Sequence, residues 1–159
     1  MTVTKIKYVF AICMISVLSS YGQKHTSTPD TIRTGFSKTS WLVPSKFTPL
    51  ELLQILTKKE GELNFITVEN DFPDKWMKES DIDTLINLIS SKTKCKCLVN
   101  PLSSYLPTTE ESDLGGYAIM FINSYRKDKQ IKLGLHICPK SNEKEISELR
   151  KWWFELHKK

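Results

Sequence analysis

SDLGGYAIMFINSYRK, residues Ser112 to Lys127, is the stretch on which the reading of this chain turns. Ala118, Phe121, Ile122 and Tyr125 recur at the spacing of one helical face, whereas the unbroken run GGYAIMFI also suits a strand buried on both sides. Read as a strand, it would place a sheet at the centre of the protein. Read as a helix, with Asp113 near its cap, it joins three other helical stretches. The helical spacing is the stronger pattern. The preceding Gly115-Gly116 permits either a turn or close packing against a neighbour.

Working outward, FTPLELLQILTKKEG carries a complete helix start. Thr48 can cap, Pro49 suits the first helical position, and Glu51 stands three residues after Thr48 as the second half of a capping box. Leu52, Leu53 and Leu56 share a face and Gly61 offers a stop, which predicts a helix over about 49–60. In ESDIDTLINLISSK, Ser80 is the expected cap, with Asp81 and Asp83 where the helix dipole favours negative charge. Ile82, Leu85, Ile86 and Ile89 form its buried stripe, with Phe72 and Trp76 expected to cover its start. In SNEKEISELRKWWFELHKK, Asn142 caps and Ile146, Leu149, Trp153 and Leu156 form the stripe. Trp152 falls off that stripe, half exposed.

The expectation is therefore a mainly α fold: a single compact domain of about four helices over 46–159. Short strands are expected near 63–68, where Leu63, Phe65 and Thr67 alternate, and near 132–137. Residues 93–112 read as an ordered loop without a determined element.

Ahead of the domain, MTVTKIKYVFAICMISVLSSYGQ has the three parts of a signal peptide. Lys5 and Lys7 precede an uncharged apolar run from Tyr8 to Leu18, and Ser20-Tyr21-Gly22 supplies a small-x-small cleavage site. Residues 1–22 are thus expected to be removed. The run is short of the roughly 18 to 20 residues of a spanning helix, and no second one follows, so no transmembrane segment is expected after cleavage. Cys13 follows Ile12 and lies inside the apolar run, a poor position for lipidation. Residues 23–45 are rich in Ser, Thr and Lys and read as a flexible lead-in whose apolar cluster, Trp41, Leu42 and Val43, docks on the domain. An exported chain, periplasmic or extracellular, is the expectation.

The whole chain has 159 residues and a formal net charge of +5. Cleavage removes two lysines and no acid, leaving 21 basic against 18 acidic residues, a balance of +3. Lys92, Lys94 and Lys96 form the densest basic cluster, but no aromatic platform interleaves with it, so nucleic acid is not an expected partner.

Three cysteines remain after cleavage, an odd number, and disulfides persist outside the cytosol. The plainest arrangement pairs Cys138 with Cys95 or Cys97. The alternative gathers Cys95, Cys97, His136 and Cys138 into a metal site for zinc or cuprous copper, although one residue between paired cysteines makes a cramped chelate. A third arrangement makes Cys95-x-Cys97 a reducible pair, with Lys94 and Lys96 lowering a thiol pKa.

For catalysis, no nucleophile elbow, phosphate loop or paired-histidine metal motif is present. Ser103-Ser104 after Pro101 is the signature of a turn. No catalytic residue and no cofactor is assigned. The expected function is that of a binding module for a protein or other envelope component, with Trp152, Tyr105, Tyr117, Lys92, Lys94 and Lys96 as candidate contacts.

Overall fold

The structure is a computed structural model and describes residues 41–59, 63–103 and 110–158. The leader over 1–22, most of the lead-in, Gly61 and Tyr105 lie outside those residues.

Four α-helices are present among them: α1 (Pro49–Leu56), α2 (Glu79–Leu85), α3 (Leu114–Arg126) and α4 (Glu143–Leu156). Five short strands accompany them: β1 (Phe65–Thr67), β2 (Lys94–Cys95), β3 (Cys97–Val99), β4 (Ser112–Asp113) and β5 (His136–Ile137). The mainly α expectation is thus correct in its helices and incomplete in its strands. β1 and β5 fall within the two stretches where strands were expected. β2, β3 and β4 fall inside 93–112, which was read as a loop. Each has two or three residues, too few for an alternating pattern to register in a sequence.

The order β1-β3-β5 makes a mixed sheet, with β1 parallel to β3 and β5 antiparallel to it. On the far side of β1, Leu42 forms a parallel bridge to Val68, its N–H donating to Thr67 O at 2.8 Å and its carbonyl accepting from Glu69 N at 2.9 Å. Parallel neighbours cannot be joined by a hairpin and need a crossover. Here α1 crosses from Leu42 to β1, and α2 lies in the crossover from β1 to β3. Leu42 is fully buried, so the end of the lead-in is built into the core. The second sheet is the antiparallel pair β2-β4.

Local chemistry sets the helix ends. Thr48 and Glu51 form the expected capping box, and the Thr48 N–H and hydroxyl, donating to the Glu51 carboxylate at 2.8 and 2.9 Å, hold its pKa below the ordinary value. At α2 the expected cap Ser80 is corrected to Lys78, two residues earlier. The Asp81 carboxylate accepts from Lys78 N at 2.9 Å, so the acid meets the cap backbone directly and no serine hydroxyl is needed. α3 confirms the helical reading of 114–126, with the Asp113 carboxylate accepting from Gly116 N at 2.6 Å.

α3 is the central element and packs against α1, α2 and α4. Its Tyr117, Ala118, Phe121 and Ile122 join Leu52, Leu53 and Leu56 of α1, Ile82 and Leu85 of α2, and Ile146 and Leu149 of α4 in one apolar cluster. Phe72 and Trp76 complete it, with ring centroids 6.2 and 5.1 Å from Phe121. No helix among the described residues is long and apolar enough to cross a membrane.

Candidate functional site

The cysteines resolve first. β3 and β5 pair Leu98 with Ile137 and Val99 with His136. One step further along that register stand Cys97 and Cys138, with Cα atoms 4.7 Å apart, and they form a disulfide. Cys95 belongs to β2, whose partner is Ser112 of β4, so it faces a different sheet. That difference selects Cys97 over Cys95, and only the strand register could have shown it in advance.

Cys95 remains as a buried thiol. Its S–H lies 3.6 Å from Thr93 O, and burial, aided by the nearby Asp113 carboxylate, pushes its pKa up to about 12. This corrects the expectation that Lys94 and Lys96 activate a Cys95-x-Cys97 pair: the Cys95 thiol is shifted up, not down, and Cys97 is already bonded elsewhere. Two of the four expected metal ligands are likewise consumed by the disulfide. His136 is half exposed, with Nε2 3.5 Å from a Glu110 carboxylate oxygen. Among the described residues no group of three or more histidine, cysteine or acidic side chains could hold a metal ion.

A polar cluster missed by sequence reasoning surrounds the amino end of α3. Asp113 Oδ1 accepts from Gly116 N and, at 2.9 Å, from Ser141 N, while Ser141 Oγ donates to Asp113 Oδ2 at 3.0 Å. Lys92 Nζ donates to Ser141 Oγ at 2.8 Å. Serine, lysine and aspartate in contact resemble a nucleophile with its partners, but each group here has a structural duty. The serine proton goes to the aspartate, the lysine donates instead of accepting, and the aspartate caps a helix. Leu114 N and Gly115 N donate to Thr93 O and Ser91 O, so this helix end is closed by protein.

The candidate contact residues separate. Lys92 is engaged with Ser141, and Lys94 forms an exposed ion pair with Glu111 at 2.8 Å. Lys96 is half-buried, its N–H donating to Leu56 O at 2.9 Å. The three lysines therefore do not form one basic face. Tyr117 must be corrected: it is completely buried, its hydroxyl donating to Lys96 O at 2.9 Å, and burial raises the phenol pKa. The helical stripe that identifies the core includes it, which was the available signal.

Trp152 is half-buried, as expected, 5.9 Å from the ring of Trp153. Beyond it, Leu156 was expected in the buried stripe but is 46% exposed, and Phe154 is 66% exposed. The reason is length. α4 is anchored by Ile146 and Leu149 in its first half, and its last turn, from Phe154 onward, is exposed on every side. Around that turn Trp153 packs on His157 with centroids 3.9 Å apart, and Lys158 Nζ lies 5.9 Å from the Phe154 ring. Arg150, Lys151 and Lys158 flank the aromatics against one acid, Glu155. Apolar side chains presented to water beside cations form an amphipathic contact surface. No protein-family model, no curated protein and no solved structure matches this chain.

Proposed function

We propose that the protein is an exported binding module that docks on anionic lipid surfaces through the last turns of α4. One observation carries this reading: Phe154 and Leu156 are exposed at the end of a helix otherwise anchored in the core, beside Trp152, Trp153 and basic side chains. Aromatic and leucine side chains partition into the headgroup boundary, and neighbouring cations are attracted to anionic lipid. A cation near such a surface contributes about 1 kcal/mol, so a short helix end suffices for reversible attachment but not for permanent anchoring. The disulfide supports an oxidising compartment.

The test is co-sedimentation with vesicles of phosphatidylcholine alone or mixed with phosphatidylglycerol. Binding is expected to the mixed vesicles only, to weaken as salt is raised, and to be lost in the Phe154→Ser/Leu156→Ser double variant with the fold intact by circular dichroism. Equal sedimentation of wild type and variant, or none by either, would overturn the reading.

A further inference from the structure

A cleft of about 280 Å3 opens between residues 74–77 and the carboxyl end of α3, remote in sequence from the last turn of α4. Its apolar wall is formed by Trp76, Met77 and Tyr125. Trp76 is fixed there: its indole N–H donates to Phe47 O at 2.8 Å, and its ring packs on Phe72 with centroids 4.8 Å apart. Asp74, Lys75, Asp128 and Lys129 stand on the rim.

Two features set this rim apart. Lys75 and Asp128, at φ 49° and 46°, are the two non-glycine residues of left-handed backbone among those described, and both belong to this one cleft. For Asp128 the geometry is that of a helix terminator. Lys129 N donates to Ser124 O at 3.0 Å and Asp128 N to Tyr125 O at 3.1 Å, a pattern in which glycine is the usual and less strained choice. The chain thus carries a carboxylate and an ammonium where the backbone favours no side chain at all, and strained residues of this kind concentrate at ligand clamps. The second feature is charge. Two acids and two lysines surround an aromatic wall, and none of the four forms an ion pair among the described residues.

From these we infer that the cleft binds a small zwitterion with an apolar side group, an amino acid or short apolar peptide. The ligand carboxylate meets Lys75 and Lys129, its ammonium meets Asp74 and Asp128, and its side group lies on Trp76 and Tyr125. The volume stands at the lower end of ligand cavities, which limits the ligand to about two residues. Fixed charges of both signs reward a ligand carrying both, whereas a sugar would leave the lysines unanswered.

Protein recovered after export under its own leader is titrated with leucyl-leucine while nitrogen–proton NMR follows the Trp76 indole and the Lys129 amide. Saturable shifts are expected, with Kd of about 1 mM or below. The same dipeptide acetylated and amidated, which keeps the side groups and removes both charges, should bind at least about tenfold more weakly. Lys75→Gly and Asp128→Gly should each weaken binding while leaving thermal stability equal or higher, a combination that a purely structural role does not produce. No saturable shift, equal binding of the capped peptide, wild-type binding by both glycine variants, or saturation by glucose in place of the dipeptide would each overturn the inference. None of these outcomes bears on vesicle binding, so the two readings fail separately.

Discussion

At the amino end of α3, a Cβ added to Gly115 would lie 2.5 Å from Ile89 O, and one added to Gly116 would lie 2.5 Å from Pro139 O. At the other end of the same helix, Asp128 holds a left-handed backbone with a full side chain. Along this helix glycine stands where neighbouring backbone leaves no room and is absent from the left-handed position at its end, whereas Gly134 elsewhere takes a left-handed backbone, φ 57°, in open space. The amino end is a closed joint in which the Asp113 carboxylate and the carbonyls of Ser91 and Thr93 accept from the free helix donors, while Ser141 donates to Asp113 and Lys92 to Ser141. The carboxyl end borders an open cleft lined by charges that form no ion pair among the described residues. Stability is thereby concentrated at one end of a single helix, and chemical display at the other.

The disulfide offers the strongest way to break this contrast. Cys138 begins the segment that reaches Pro139 and Ser141, and Pro139 O accepts from Ser112 Oγ at 2.6 Å and from Asp113 N at 3.2 Å. The bond therefore ties down the strap that closes the amino end. Replacing Cys97 and Cys138 by alanine opens a loop of sequence separation 41 and should cost about 3 to 4 kcal/mol in urea unfolding. Hydrogen exchange should then rise at residues 114–118 and stay unchanged at 124–129. Equal loss of protection at both ends would abolish the distinction between them.

Gly116→Ala should come next, at about 2 to 3 kcal/mol, because the blocking atoms are main chain and cannot rotate away. A near-neutral result would mean that the strap has slack. The smallest effect sharpens the contrast from the other side. Asp128→Gly should raise stability by about 1 kcal/mol, read as a shift of the urea midpoint at unchanged slope.

The legible parts of this molecule were those built from local chemistry. The Thr48-Pro49-Glu51 start, the Asn142 cap and the stripe Ala118, Phe121, Ile122 declare themselves within one turn, because helices repeat over neighbours in sequence. The strands did not, since Lys94–Cys95 or His136–Ile137 acquires its identity from a partner tens of residues away. The choice between Cys95 and Cys97 depended on the same long-range register. Lys92 and Ser141 were unreadable as neighbours for that reason too, at a sequence separation of 49. Leu156 shows the opposite failure. Its period assigned it to the core, but period locates a face of a helix and not the point along its axis where the domain ends.

Leu42 also closes a sheet edge. Its bridge to Val68 occupies the outer hydrogen-bonding edge of β1, where Thr67 O and Glu69 N–H would otherwise face water beside the half-buried Phe65 and Ile66. An uncovered edge of that kind recruits strands from other molecules. A chain trimmed to the domain boundary that composition suggests, at residue 46, would lose this cover together with a completely buried leucine. Leu42, at the end of the stretch that reads as a tether, thus covers an edge otherwise open to self-association.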